Sequence, residues 1–146
     1  MKISIIHGSQ RNGNTEKTIE IVKEKLNSLD DNDFFDFYLP KDLPMFCCGC
    51  FKCMDKGNYG GEHCPHSKYT HPILEAMKLS DGIIVTSPVY SMAESGQVKA
   101  FLDHFACIFM CHKPLQEMFS KTAFIISTTA GAGIKYTLKP IERSLR

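Results

Sequence analysis

The sequence lacks the features that would assign it to several specialised classes of protein. Its 17 Lys and Arg side chains nearly balance 16 Asp and Glu, so it has no basic stripe for a nucleic-acid backbone. Its apolar runs fall far short of the roughly 20 residues that cross a bilayer, and the segment 1–8 has no signal-peptide pattern. We therefore expect a cytoplasmic protein whose partners include neither nucleic acid nor membrane.

Tryptophan, internal repeats, low-complexity tracts and linkers are also missing. The 146 residues, 43% hydrophobic and 23% charged, have the length and composition of one ordinary globular domain. We therefore expect a single domain over residues 1–146, with one irregular, cysteine-rich loop at residues 41–69.

An even, regularly spaced set of cysteines is absent as well. The chain has seven cysteines, five of which lie between Cys47 and Cys64. This does not fit the paired disulfide framework of a small secreted protein. In a reducing compartment, such a cluster more often indicates metal or redox chemistry.

What the sequence does contain is an alternation of strand-like and helix-like segments. The predicted strands are 2–7, 34–39, 82–87 and 122–127, and the predicted helices are 15–30, 72–79, 98–109 and 134–145. Asn14 is placed to cap the first helix. This alternation predicts an α/β fold, with a doubly wound parallel sheet between two layers of helices. Ligands bind such sheets outside the carboxyl ends of the strands, so the loops at Gly8, Pro88 and Thr128 are expected to share one crevice.

The loop from His7 to Thr15 joins the first strand to the first helix and is rich in small and polar residues. Backbone N–H groups at the positive end of a helix bind anions, and Ser9, Asn14 and Thr15 can add side-chain donors. The loop is close to the pattern G-x-x-x-x-G-K-[ST], but Asn14 replaces the lysine. This favours a monophosphate over a nucleoside triphosphate. A turn that only caps the helix is the alternative.

Three motifs follow one another along the chain. They are Gly8-Ser9-x-Arg11-x-Gly13-Asn14-Thr15, Ser87-Pro88-Val89-Tyr90 and Gly96-Gln97-Val98-Lys99-Ala100-Phe101-Leu102-Asp103. In this order and at these separations, the chain resembles the flavodoxin-like NAD(P)H-dependent FMN reductases. Its Cys-x-x-Cys-x-x-Cys segment resembles that of the iron-sulfur flavoprotein branch. The resemblance implies strand order 2-1-3-4, FMN as cofactor, NAD(P)H as co-substrate, and a homodimer or homotetramer.

The resemblance also implies a role for each part of the crevice. The FMN phosphate would be held by Ser9, Arg11, Asn14 and Thr15, the ring by Pro88, Val89, Tyr90, Ser91 and Met92, and the ribityl chain or the far ring edge by Thr128, Thr129 and Gly131. Flavin carries the redox chemistry itself, so no catalytic residue is expected. Tyr90 is the best candidate to stack on the ring, and the alternative is a strand-end tyrosine with its hydroxyl in water.

The cysteine-rich loop has the spacing of a cluster-binding segment. Cys47, Cys50 and Cys53 can ligate a [4Fe-4S] cluster, and Cys64 can supply the fourth thiolate. The ten residues between Cys53 and Cys64 exceed the spacing of the iron-sulfur branch. Two alternatives stay open. Zinc could bind through these thiols and His63 or His66, or the cysteines could pack beside the flavin or form a labile disulfide.

Two further sets of residues are expected to be structural. Cys107 and Cys111 lie four residues apart on a predicted helix, with His104 one turn before Cys107, and we expect them to pack in the core or an interface. His7, at the end of the first strand, is expected to be a buried histidine with satisfied hydrogen bonds.

Together these observations predict an FMN-dependent oxidoreductase that passes electrons from NAD(P)H, or from a reduced carrier, to a quinone, flavin or other small acceptor. One alternative is an iron-sulfur flavoprotein that accepts electrons from ferredoxin. Another is a non-catalytic electron carrier or redox sensor, although such carriers are commonly strongly acidic. The family fold has a fifth strand and a closing helix, whereas this chain reaches Arg146 after the fourth helix. We therefore expect truncation, completion of the sheet by a partner, or an open edge.

Overall fold

The computed structural model describes residues 1–55, 63–109 and 115–146. Strands and helices alternate in the order β1 (Lys2–His7), α1 (Asn14–Asn27), β2 (Asp33–Tyr38), α2 (Ser67–Leu79), β3 (Gly82–Pro88), α3 (Gly96–Phe109), β4 (Thr122–Thr128) and α4 (Ile134–Leu145). Two short 3-10 helices lie at Lys52–Met54 and Gln116–Ser120. The predicted α/β alternation is confirmed. Cys111, which was predicted to lie on a helix with Cys107, is outside the described residues. No helix in these ranges is long and apolar enough to span a membrane.

All four strands are parallel, and their order is β2-β1-β3-β4. This confirms the predicted order. The inner strands β1 and β3 are buried along nearly their whole length, which accounts for their continuous apolar runs, since inner parallel strands are covered on both faces. Within the described residues, β2 and β4 are the edges of the sheet, and they are more exposed.

The helices cover both faces of the sheet. On one face, Ile19 of α1 packs in a core with Ile5 of β1. On the other face, Ile6 belongs to a larger core with Phe101 of α3 and Ile141 of α4. Neighbouring residues of β1 therefore point into opposite cores, as the two-residue period of a strand requires. Each of these fully buried side chains contributes about 1.5–3 kcal/mol to folding.

Several helix boundaries differ from the predicted ones. α1 ends at Asn27 instead of near Asp30, and α3 begins at Gly96 instead of at Val98. The N-cap of α1 is Gly13, with extended backbone, and Asn14 is the first helical residue, so the predicted Asn14 cap is wrong. α2 begins at Ser67 rather than at Pro72. Proline favours the first turn of a helix, but here a preceding turn forms because the His66 carbonyl accepts the Thr70 N–H at 3.1 Å.

The side of β4 next to α1 is open in the described structure. Phe124 is 54% exposed. It lines an apolar cavity of about 500 Å³ together with Val22 and Leu26 of α1 and Ile84 of β3. An exposed apolar surface of this kind often marks a contact with another chain. The expected homodimer or homotetramer stays a prediction.

His7 is the centre of a polar network that ties β1 to α1 and β2. Its ring is 1% exposed, with Nδ1 3.0 Å from Glu16 Oε2 and Nε2 2.7 Å from Asp36 Oδ1. The ring also stacks on Tyr38, with ring centroids 4.1 Å apart. Both ring nitrogens have partners, so the expectation of a satisfied buried histidine is confirmed.

Asp36 is the acidic centre of this network. Burial favours the neutral carboxyl, but hydrogen bonds and charges from His7 and Lys23 outweigh burial and hold the pKa of Asp36 below 3.8. The Lys23 Nζ lies 2.6 Å from Asp36 Oδ1. Burial, together with the charges of Glu16 and Asp36, raises the pKa of Tyr38 to about 12, so Tyr38 stays a donor to Glu16 at 3.2 Å.

The network predicts an acid-dependent loss of stability. Because the pKa of Asp36 is lower in the folded state, its stabilisation is complete above the unfolded value near 3.8 and is lost as the pH falls through the folded value. Asp36→Asn should destabilise the protein by about 1–3 kcal/mol at pH 7. Its stability should also fall less than that of the wild type on acidification. Urea unfolding at a series of pH values measures both effects.

The matched control is Asp103→Asn, since Asp103 forms an exposed ion pair with Lys99 on one helix face. Exposed pairs contribute about 0–1 kcal/mol, so this variant should follow the wild-type acid profile. If Asp36→Asn shows the same pH dependence as the wild type, the network does not stabilise the fold as described.

Candidate functional site

The loop after β1 leaves a helix terminus open to a ligand. The Gly8 N–H donates to the Thr86 carbonyl at 2.9 Å, which holds the loop against β3. Ser9 Oγ then accepts the Arg11 N–H at 3.1 Å. Gly13 gives α1 no side-chain cap, so in this part of the structure the first-turn N–H groups of α1 face outward at its positive end. Such groups bind anions.

The loop after β3 forms a tight turn at Tyr90–Ala93. The N–H of each end residue donates to the carbonyl of the other, at 2.9 and 3.0 Å. The two central residues, Ser91 and Met92, have φ of 49° and 68°, as in a type I′ turn. Positive φ is uncommon for residues other than glycine, and such strain concentrates at ligand sites.

The loop after β4 packs against this turn. Thr129 Oγ1 donates to the Ala132 carbonyl at 2.6 Å and accepts the Gly131 N–H at 3.2 Å. Gly133 has φ of 96°, and a Cβ there would lie 2.6 Å from Val89 Cγ1. Glycine therefore permits both the backbone conformation and the close approach of the two loops.

The three loops enclose one cavity, which confirms the predicted shared crevice. Its volume is about 380 Å³, within the range of small-molecule sites. Thr15 Oγ1 and Thr128 Oγ1 are 2.5 Å apart, and Ser9 Oγ is 3.5 Å from the Tyr90 hydroxyl. These two contacts join the first loop to the other two.

Most of the predicted flavin-binding residues line this cavity. They are Ser9, Arg11, Asn14, Thr15, Pro88, Val89, Tyr90, Thr128 and Thr129. Ser91, Met92 and Gly131 lie in the adjoining turns and are exposed, outside the lining. Asn12, Gly13 and Ala130 line the cavity although they were not predicted. Their places inside the same loops could have indicated them.

Ser95 is a positioning residue that the sequence motifs did not indicate. It is fully buried, and its Oγ donates to the Gly8 carbonyl at 2.7 Å. The same oxygen accepts the Val98 N–H at 3.3 Å, while the Ser95 N–H donates to Ser87 Oγ at 3.0 Å. Ser95 thus caps α3 and holds the first loop against β3. Ser95 lies three residues before Val98, where the apolar face of the helix begins, and this position is typical of a helix N-cap. The sequence could therefore have indicated its role.

The thiols of the cysteine-rich loop have different environments. Cys50 and Cys48 are exposed neighbours. A hydrogen bond from the Lys52 backbone lowers the pKa of the Cys50 thiol, and a hydrogen bond with Cys50 raises the pKa of Cys48. Burial raises the pKa of Cys53. Among these three, Cys50 is the thiol most ready to ionise, and therefore the most nucleophilic position.

The four predicted cluster ligands differ in their exposure. Cys47 and Cys50 are exposed, whereas Cys64 is half-buried. A donor atom of Cys64 lies within 4.8 Å of donor atoms of both His66 and His104. The thiols have the right chemistry for an iron-sulfur cluster. Besides burial, the charges of Cys64 and Cys47 raise the pKa of Cys53, so these three thiols lie near one another. The assignment of Cys47, Cys50, Cys53 and Cys64 stays a prediction.

The family model described as NADPH-dependent FMN reductase matches residues 1–143. The chain belongs to this family. Among curated relatives, an iron-sulfur flavoprotein of Methanocaldococcus jannaschii is 36% identical over 107 residues, covering 70% of this chain and 51% of the relative. An iron-sulfur flavoprotein of Clostridioides difficile strain 630 is 29% identical over 133 residues, covering 88% and 54%. The chain thus spans about half the length of these relatives.

Solved structures show the same fold. An NADH:FMN oxidoreductase in its apo form superposes with a TM-score of 0.61 at 22% identity, covering 99% of this chain and 68% of that one. An oxidoreductase from Corynebacterium diphtheriae superposes with a TM-score of 0.67 at 16% identity, covering 99% and 75%. These similarities confirm the flavodoxin-like architecture of this FMN reductase family member.

The cavity fits the parts of FMN. The uncapped terminus of α1 suits a phosphate, since oriented N–H groups and the helix dipole both favour negative charge. Arg11 is the charged residue among those that line the cavity in the described structure. At the β3 end, the Tyr90 ring is 44% exposed and can border an aromatic ring system.

The close approach at Gly8 predicts a severe effect of a single methyl group. A Cβ at Gly8 would collide with the Thr86 carbonyl oxygen and with Val98 Cγ2. Gly8→Ala should therefore destabilise the protein by about 1–3 kcal/mol. The control Gly96→Ala adds its methyl group in open space and should change stability by less than about 0.5 kcal/mol. Equal urea midpoints for Gly8→Ala and the wild type would contradict this description of the loop.

Proposed function

We propose that this chain is an FMN-dependent oxidoreductase that passes electrons from NAD(P)H, or from a reduced carrier, to a quinone, flavin or other small acceptor. The observation that carries the proposal is the cavity at the uncapped end of α1, closed by the loops after β3 and β4. It occurs in a chain that belongs to the NADPH-dependent FMN reductase family.

The phosphate end of the proposed site uses the first loop. Ser9 and Thr15 present hydroxyl groups at the cavity wall, and Asn14 begins α1. Arg11 would add a positive charge from an exposed position. These groups can hold the dianion of a monophosphate without the lysine that triphosphate-binding loops use.

The ring end of the proposed site uses the strained turn after β3. Pro88, Val89 and Tyr90 would border the isoalloxazine, and Ser91 and Met92 would lie at its solvent side. Thr128, Thr129 and Gly131 would approach the ribityl chain or the far ring edge from the loop after β4. Bound flavin supplies hydride and one-electron chemistry, so the task of these residues is to orient the ring and limit access of water.

The alternatives are separated by particular observations. The names of the curated relatives support an iron-sulfur flavoprotein. Such a protein would receive its electrons from ferredoxin. The proximity of Cys64 to two histidines favours a single metal ion at Cys64 instead. A non-catalytic electron carrier is the other alternative, and the near-neutral charge favours the enzyme.

We further propose that the protein acts as a homodimer or homotetramer in the cytoplasm. The apolar surface between β4 and α1, with Phe124 exposed, supports association with another copy. A surface rich in thiols such as Cys47 and Cys50 suits a reducing compartment.

The phosphate assignment predicts different effects on two flavins. Arg11→Ala should weaken FMN binding about tenfold, because a charge-assisted contact contributes about 1.4 kcal/mol. Its affinity for riboflavin, which lacks the phosphate, should not change. Quenching of flavin fluorescence on titration measures both affinities. Arg143→Ala, on α4 and outside the cavity lining, is the control. Equal losses for FMN and riboflavin would contradict the placement of the phosphate.

The enzyme proposal predicts reduction by a nicotinamide cofactor. Mixing FMN-loaded protein with NADPH or NADH without oxygen should bleach the flavin absorbance, and a quinone should restore it over many cycles. Stopped-flow absorbance measures both steps. If neither cofactor bleaches the flavin while a reduced ferredoxin does, the NAD(P)H-dependent enzyme is excluded in favour of a carrier-fed protein.

A further inference from the structure

We propose that Cys64, His66 and His104 form a binding site for a single zinc-like divalent ion, separate from the flavin cavity. One donor atom from each residue lies within 4.8 Å of those of the other two. Among the residues that the structure describes, this is the one group of three or more metal-ligating side chains so close together. The inference does not depend on the proposed function.

Two distant parts of the chain create this group. Cys64 and His66 lie in the turn that leads into α2, where His66 is the N-cap residue. His104 lies in the middle of α3 and is 6% exposed. The two imidazole rings meet edge to face, with centroids 5.2 Å apart. Packing of α2 beside α3 on one face of the sheet therefore brings the three residues together.

The histidines have lone pairs available for an ion. The Met45 carbonyl can only accept, so His104 Nε2 donates to it at 3.0 Å and leaves Nδ1 unprotonated. This is the arrangement in which metal-binding histidines are commonly oriented by a carbonyl. His66 Nδ1 is buried and has no hydrogen-bond partner in the described structure. A buried polar atom without a partner is unfavourable, and a metal ion would give it one.

Cys64 lies at the entry to α2, beside the backbone of His66. The His66 backbone N–H donates to Cys64 Sγ at 3.4 Å, and the positive end of α2 follows directly. One thiolate and two imidazoles are a common donor set for zinc, with a fourth position left for water or another ligand.

The distances need only a small adjustment. Zn–N and Zn–S bond lengths place tetrahedral donor atoms about 3.3–3.6 Å apart, compared with the 4.8 Å limit of the present group. Side-chain rotations that move the donor atoms by about an ångström close this difference. Because Cys64 would then be a ligand of the mononuclear ion, it would not be the fourth ligand of a [4Fe-4S] cluster with Cys47, Cys50 and Cys53.

Zinc binding to the full chain tests the site without reference to flavin. Flavin-free protein, kept reduced, is titrated with Zn²⁺ against a chromophoric chelator. The wild type should bind one zinc per chain, and Cys64→Ala and His104→Gln should bind it at least tenfold more weakly. The controls Cys50→Ala and His63→Gln alter an exposed cysteine and an exposed histidine near the site and should bind zinc as the wild type does.

A second measurement separates lost ligands from a lost fold. X-ray absorption at the zinc edge should show one sulfur and two nitrogen ligands in the wild type, and zinc should raise Tm in the wild type but not in folded Cys64→Ala. Unchanged zinc affinity in Cys64→Ala, loss of zinc in Cys50→Ala, or several sulfur ligands at the zinc would each overturn the proposal. So would bound iron and labile sulfide that disappear in Cys64→Ala.

Discussion

The site depends on one close backbone contact, the approach of Gly8 to β3 and α3. The Gly8 N–H bonds to the Thr86 carbonyl, and its own carbonyl accepts from the buried Ser95 hydroxyl. A side chain at Gly8 would occupy the space of Val98. Since the next residues form the wall of the cavity, this contact places the N-terminal end of α1 beside the loops after β3 and β4. The His7 network below it anchors the same strand end to α1 and β2.

Much of the fold could be predicted from the sequence, because the physical signals are local. β1 and β3 are inner parallel strands that are buried on both faces. Burial on both faces requires continuous apolar runs, and such runs predict strands. The open N-terminus of α1 could be predicted for a similar reason, since a glycine-rich turn between a strand and a helix leaves backbone N–H groups free. Nine of the twelve predicted flavin-binding residues line the cavity.

What could not be predicted depends on contacts between distant residues. The prediction that Asn14 caps α1 is wrong because the helix begins one residue earlier. Gly13 is the N-cap residue, and no side chain bonds to the first-turn N–H groups. Ser95 positions the first loop by its hydrogen bond to the carbonyl of Gly8, which lies 87 residues earlier in the chain. His104 was expected to be a core residue, and its burial agrees with that. Its proximity to Cys64 and His66 follows from the packing of α2 beside α3, which the order of residues along the sequence does not reveal.

The most direct test of the account is the visible absorption spectrum of protein purified without oxygen, before and after addition of FMN, with iron, zinc and labile sulfide assayed on the same sample. The account predicts flavin bands at about one FMN per chain, bound zinc, and neither iron nor sulfide. A colourless protein that FMN does not reconstitute would contradict the central claim that the three loops form a flavin site.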